Sequence, residues 1–396
     1  MNKKLLNLLT ALVLILFGAG VAFVITYTSL TERYQESLNQ LSSSEIVSKS
    51  AELEEYIDRY FVGETDKTAM ADAAADAIVA ATGDRWSYYI SASDYQSYLE
   101  QMNNAYVGIG VTISQAEEQN GYTILEVTAG GPAEEAGVLV DDLLVAVDGT
   151  SVVDLDVAAV RDLVRGEEGT MVSLTMVRNG EELEIPVERR TIEQIVAYGE
   201  LLEGNIGYVR INNFDKNCAD HTIAAIDDLI AQGAESLLFD VRNNPGGYKN
   251  ELVEVLDYLL PEGPLFRMEY YNGETEVDYS DEDCIDLPMA VLVNEDSYSA
   301  AEFFAAAIQE YDAGEVVGAR TCGKGYFQNT YHLSDGSAVA LSSGTYYTPN
   351  NVSLADVGVT PDVEVAMSEE DYFDLYYDRL DKADDGQLQA AIELLK

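Results

Sequence analysis

The chain is poor in the residues that hold metals or staple small folds. Its 396 residues include only three cysteines, Cys218, Cys284 and Cys322, and two histidines, His221 and His332. No cysteine pair has C-x-x-C spacing, and no H-E-x-x-H, His/Cys cluster or EF-hand loop appears, so neither a metal centre nor a disulfide scaffold is expected. A Cys218–Cys284 bridge stays open outside the cytoplasm. Basic residues are scarce as well: 22 Lys and Arg against 71 Asp and Glu give a net charge of -49. No contiguous surface can then neutralise phosphates, which argues against nucleic acid as a partner. Anionic headgroups are repelled, so any membrane attachment is hydrophobic. The plain reading of the acidity is solubility in a salty or extracellular medium, and attraction of basic peptides is the sharper one. Internal repeats and low-complexity tracts are also missing. What remains, 47% hydrophobic and 23% charged residues, is ordinary globular composition in a chain long enough for two or three folded units.

One long apolar run exists, from Leu5 to about Ile25, preceded by Lys3 and Lys4. About twenty residues span a bilayer as a helix, and the lysines place the N-terminus in the cytoplasm with the acidic remainder outside. A signal peptide cleaved near Gly20 and Ala22 is the alternative; both readings imply export. Ser42 with Glu45 fits a capping box opening a helix, and Leu53, Tyr56, Ile57, Tyr60 and Phe61 form one apolar stripe. A second stripe runs from Met70 to Ile78, with Gly83 closing that helix. This helical pair reads as packing or dimer surface. From about Asn104 the period changes: short β runs are expected at Val107 to Ile113, Tyr122 to Val127, Leu143 to Val147 and Val172 to Val177, with a helix at Val157 to Leu163. After Thr191 strands alternate with helices, the pattern of a doubly wound core whose site lies at the carboxyl ends of its strands. Those ends are the loops at Asn243 and Asn294.

Ser299 opens the helix after the strand Met289 to Val293. With Glu302 it fits S-x-x-E, an N-cap and nothing more. The same position also exposes a hydroxyl where helix amides face a developing oxyanion. A serine nucleophile needs a base. His332 lies in an alternating strand and suits a half-buried structural role. Lys324 sits between Gly323 and Gly325, where glycines permit close backbone approach, and is the better candidate for a desolvated base. Asn244-Pro245-Gly246-Gly247 is by itself a turn, but its amides can serve an oxyanion. Tyr106-Val107-Gly108-Ile109-Gly110-Val111 opens a strand with two glycines, either a flexible entry or a loop whose amides capture a carboxylate.

Taken together, these segments resemble the C-terminal processing peptidases, or tail-specific proteases, from about Leu53 to Val365. Ser297-Tyr-Ser299-Ala-Ala-Glu302 is similar to the family's Ser-Ala-Ser-Ala-Ser-Glu, and Gly323-Lys324-Gly325-Tyr-Phe-Gln328 to its Gly-Lys-Gly-x-x-Gln. Lys324 follows Ser299 by 25 positions and Gln328 follows Lys324 by four, as in the family. Arg242 to Gly247 matches its Arg-x-Asn-Pro-Gly-Gly loop. Tyr347 with Thr348 and Pro349 and the run Gly358 to Asp362 match its late segments, and Arg165-Gly166 with Gly169-Thr170 a segment of its PDZ domain. Tyr298, Ala301, Cys322 and Asn351 depart from the family pattern without removing a chemical group.

The resemblance implies a multidomain α+β chain: a signal anchor or transmembrane helix over 1–27, a helical segment over 28–95, a PDZ domain over 96–190, a ClpP/crotonase-like α/β protease core over 191–368 and a C-terminal helical segment over 369–396. It implies catalysis by Ser299 with neutral Lys324 as base and Gln328 orienting it, and an oxyanion held by Ala300 with Gly246 or Gly247. It implies tail binding at Tyr106, Val107, Gly108, Ile109, Gly110 and Val111, and a linking role for Arg165, whose plain alternative is a helix C-cap. No cofactor is called for. The expected partners are peptides with free C-terminal tails and the membrane, and a homo-oligomer is left open; the expected location is the cell membrane, single-pass, with the catalytic part outside. Two other classes remain as rivals, a non-catalytic PDZ scaffold and an exported solute-binding or lipid-binding protein. The first would have lost the serine, lysine or glutamine, and the second leaves the spaced motifs unexplained.

Overall fold

The computed structural model describes residues 26–27, 44–116 and 120–396. The apolar run from Leu5 to Ile25 and the Ser42 cap lie outside the described residues, and among the described residues no helix is long and apolar enough to cross a membrane. The chain divides into two compact units, with the boundary between Ala73 and Ala74. In the first, the helix Glu45–Tyr60 is capped by Ser44, whose hydroxyl accepts the Val47 amide. Leu53, Tyr56, Tyr60 and Phe61, the expected packing stripe, are exposed.

The second unit contains three main sheets. One is six-stranded: Ala197–Leu202, Ile206–Ile211, Ser236–Asp240, Met289–Val293, Gly314–Gly318 and Val363–Glu364, in that order. The first pair is antiparallel and the others parallel. Its central strands are buried at every position, because both faces are covered. On one face Phe239, Val291 and Val293 meet the helices Cys218–Gln232, Lys249–Leu259 and Ala300–Glu310. On the other, Leu238, Ala290 and Leu292 meet Leu388 and Ala391 of the helix Gly386–Leu394. Thus part of the expected C-terminal helical segment covers the sheet's second face.

A second sheet joins Tyr88–Ile90, Ala338–Tyr347, Gly263–Tyr270 and Thr275–Ser280, with Tyr326–His332 paired on Ala338–Tyr347. It carries the segment after Lys324 against the helix that Ser299 opens. The third sheet is the β-rich module: Val111–Gln115, Tyr122–Val127, Leu143–Val147, Met171–Arg178 and Glu181–Glu188, around a core of Ile124, Leu144, Leu174 and Met176. The run from Val107 to Ile113 is not one strand. It breaks after Gly108, and Gly110 takes a φ of +76°, a left-handed turn that an L-residue resists. Ala105–Gly108 pairs instead with Arg190–Glu193, a two-stranded ribbon beside the module. The three cysteines are free thiols, with Cys218 buried and Cys284 exposed, so the Cys218–Cys284 bridge is absent.

Candidate active site

Two loops at the carboxyl ends of adjacent parallel strands build the floor of the site. They are locked by a reciprocal amide pair: Asn243 N–H donates to the Asn294 side chain at 2.9 Å, and Asn294 returns a bond to Asn243 Oδ1 at 2.7 Å. Ser297 adds a third tie through the Val241 carbonyl at 2.8 Å. Ser299 follows at φ 58° and ψ -125°, a strained conformation for a residue with a side chain, and it is buried. Nothing but glycine fits opposite: a Cβ on Gly246 would stand 2.7 Å from Ser299 Cβ and 2.9 Å from Ala300 N.

The S-x-x-E motif is both cap and connector. Glu302 is fully buried, and its carboxylate accepts Ser299 N–H at 3.0 Å and Lys324 N–H at 2.8 Å. Gly323 N–H and the Thr321 hydroxyl complete four bonds at 2.7 and 2.5 Å. Burial lifts the Glu302 carboxyl above its ordinary range despite those donors. Glycines flank Lys324 because the chain passes so close: a Cβ on Gly325 would stand 2.4 Å from Ala355 N, and one on Gly323 3.0 Å from Val357 N. Burial pulls the Lys324 ammonium below the ordinary lysine value, against the opposing charges of Glu302, Cys322 and Asp84. Its Nζ stands 5.0 Å from the Trp86 ring centroid and 5.7 Å from that of Tyr298, and among the described residues no carboxylate pairs with it.

Ser299, Lys324, Gln328, Gly246 and Gly247 line one cavity of about 480 Å³, walled by Trp86, Tyr88, Tyr98, Tyr248, Tyr298 and Tyr346. His332 is not among its lining residues; it is exposed and sits edge-on to Tyr95 at 5.3 Å. Of the two glycine amides, that of Gly246 is taken: it donates to Asn244 Oδ1 at 2.8 Å in an Asx turn. The amides of Gly247 and Ala300 have no partner among the described residues. Gln328 donates to the Tyr326 carbonyl and to Ser342, both at 3.1 Å, and has no hydrogen bond to Lys324. The late tyrosine that meets the serine is Tyr346, whose phenol lies beside the Ser299 hydroxyl; Tyr347 packs under Arg267.

A second cavity, of about 390 Å³, lies in the β-rich module between the edge strand Val111–Gln115 and the helix Val157–Val164. Tyr106, Gly108, Ile109, Gly110 and Val111 line it, whereas Val107 pairs with Thr191 and does not. Arg165 is indeed the residue after the helix, with backbone N–H on the Arg161 carbonyl. Its guanidinium covers the Tyr106 ring at 5.1 Å and bonds Glu100 at 2.7 Å. Glu100 belongs to the helix Tyr95–Met102, whose Tyr98, Gln101 and Met102 line the first cavity.

The model of peptidase family S41 matches residues 205–365, and that of the PDZ domain residues 123–178. A carboxy-terminal processing protease, CtpA, of Bacillus subtilis is 31% identical over 332 residues, 83% of this chain and 70% of the relative. The chain belongs to the carboxy-terminal processing proteases of peptidase family S41. It is a serine-type peptidase of the C-terminal processing kind with a PDZ domain. A carboxyl-terminal-processing protease of Synechocystis is 33% identical over 297 residues, 73% of this chain and 68% of its own. Among solved structures, a photosystem II D1 C-terminal processing protease aligns at 29% identity and a TM-score of 0.46, covering 79% of this chain and 85% of that one.

Proposed function

We propose that this protease cleaves peptide bonds with a Ser299–Lys324 dyad and selects its substrates by their C-terminal tails. The observation that carries the reading is the meeting, in one cavity, of a strained buried serine, a desolvated lysine and an unpartnered glycine amide beside the helix start. Neutral Lys324 accepts the Ser299 proton as Oγ attacks the scissile carbonyl. The oxyanion is held by the Ala300 and Gly247 amides. The protonated lysine then gives its proton to the leaving amine, and water hydrolyses the acyl-enzyme by the same route. Gln328 leaves its side-chain oxygen free to accept from the lysine amine and so orient it. The tail adds as a strand along Val111–Gln115, with its carboxylate on the amides of the Gly108 to Val111 turn. Arg165, through Glu100, links that groove to the helix bordering the catalytic cavity. The apolar run from Leu5 to Ile25 anchors the chain in the cell membrane with the catalytic part outside; accessibility to added protease in intact and opened cells tests that placement.

Purified Ser299→Ala and Lys324→Ala should each lose peptide cleavage while remaining folded, and the double variant should be no worse than either. Substantial turnover in Ser299→Ala rejects the dyad. Loss of turnover in a folded His332→Ala would return a histidine to the mechanism.

A further inference from the structure

The catalytic cavity contains a carboxylate that the proposed chemistry does not use. Asp215 lines it, is 5% exposed, and its carboxylate has no hydrogen bond or ion pair among the described residues. Its oxygens are not among those sealed from solvent, so the solvent they reach is that of the cavity. The neighbouring Glu251 is in a different position: it caps the helix Cys218–Gln232, accepting Ala219 N–H at 2.8 Å and Asn217 N–H at 3.3 Å. Asp215 is held against the oxyanion loop, because Phe214 forms a parallel bridge with Gly247, and a Cβ on Gly247 would stand 2.5 Å from Asp215 N. The Asp215 backbone therefore runs beside Gly247, whose amide is free, and Asp215 lines the same cavity as Ser299.

A buried carboxylate without a donor is costly unless a ligand supplies one. Burial and the charge of Glu251 push this carboxyl up to about 7, as expected of an acid with no cation beside it. The walls suit a long basic side chain: Met102, Tyr88, Tyr98 and Tyr248 offer apolar and π surface for the stem. Lys324 is unsuited to be the partner, since its Nζ faces Trp86 and Tyr298 and no ion pair forms between the two.

We infer that Asp215 forms an acidic subsite that selects substrates with a lysine or arginine adjoining the scissile bond. The inference deepens the proposed function and rests on its assignment of the cavity as the active site. The overall charge of -49 concentrates such substrates near the surface, and Asp215 gives that attraction a fixed place.

The test uses two peptides with one tail, one carrying lysine next to the cleaved bond and the other norleucine, so that any contribution of the PDZ groove cancels. With the full chain, kcat/KM should favour lysine by about ten- to a hundredfold, the range of a buried charge-assisted bond. In Asp215→Asn that ratio should fall towards one, although the net charge has changed by a single unit. Binding of the same pair to Ser299→Ala, with and without Asp215→Asn, reads the subsite without chemistry. A lysine preference that Asp215→Asn removes there supports the subsite even if the dyad assignment fails. Equal binding of the two peptides, or a preference that survives Asp215→Asn in both assays, overturns it.

Discussion

Two arms of the chain, 25 residues apart, share one carboxylate: Glu302 holds the Ser299 amide with one oxygen and reaches the Lys324 amide with the same one. The charge that holds both arms of the proposed dyad also opposes neutral Lys324. Glu302→Gln replaces an acceptor by an amide that clashes with two of the four donors, so the arms should separate. A loss of about a hundredfold or more in kcat with little change in KM is expected, the scale of a misplaced catalytic group. Near-normal kcat in a folded Glu302→Gln would mean that each arm is held independently. The ionisation follows with a definite sign. With neutral Lys324 as the proposed base, and with burial lowering its pKa, activity should rise with pH on a limb below the ordinary lysine value of about 10.4. Removing the Glu302 charge should move the residual limb to still lower pH, and an upward shift would count against Lys324 as base. The sequence offered Ser299 and Lys324 only as local patterns, S-x-x-E before an apolar helix and a lysine flanked by glycines, and the family spacing joined them. The places of Tyr346 and Asp215 in the cavity were not legible: each depends on which face of a distant strand or turn lines it. The choice between Gly246 and Gly247 depends on an Asn244 side chain whose direction no spacing reveals.

At the scale of elements, the helix Tyr95–Met102 touches both Arg165 of the groove and the cavity. It carries Glu100 towards Arg165, and Tyr98, Gln101 and Met102 towards the serine. Sequence periodicity located the strands Tyr122–Val127, Leu143–Val147 and Met289–Val293 to the residue, since their apolar runs end at turns. It joined Val107 to Ile113 as one strand, because a turn made by a single positive-φ glycine leaves the hydrophobic pattern intact. That turn sets two expectations. A side chain at Gly110 would be strained at φ +76°, with its Cβ 3.0 Å from Thr128 Cβ. Gly110→Val should therefore weaken binding of a tail peptide by tenfold or more, read by anisotropy in Ser299→Ala. Coupling is read by the ratio of cleavage for a free-carboxylate peptide over its amidated twin. The wild type should favour the free tail, because amidation leaves amides unpaired, and Glu100→Gln should bring the ratio closer to one. An unchanged ratio in Glu100→Gln would remove Arg165 and its helix from the path.

On the scale of the whole molecule, the proposed oxyanion loop is fastened to the last helix by buried charge. Arg242, in the loop that ends at Gly247, is 1% exposed and bonds Asp240 at 2.6 Å and Asp385 at 2.8 Å. Arg210 joins through Asp240 at 2.9 Å, and Tyr208 donates to the same carboxylate at 2.8 Å. Two arginines balance two aspartates, so the cluster is neutral as a set. Burial alone would raise the Asp240 carboxyl, but Arg210 and Arg242 together hold it well below the ordinary range. A carboxyl depressed in the folded state contributes fully above its unfolded pKa of about 3.9, and that contribution declines as the pH falls further. Asp385 also caps the helix Gly386–Leu394, accepting Leu388 N–H at 3.0 Å and Gln387 N–H at 3.1 Å. Its replacement should therefore reach the active site without touching it. Asp385→Ala leaves Arg242 with an uncompensated buried charge and removes the cap, a loss of about 3–5 kcal/mol in stability. Denaturant unfolding at neutral pH should show a lower midpoint with an unchanged m-value. Deleting residues 385–396 should be worse, because it also bares Leu238, Ala290 and Leu292 on the sheet's second face. If Asp385→Ala unfolds at the wild-type midpoint, the buried cluster is not what joins the last helix to the proposed oxyanion loop, and the apolar face alone must carry that junction.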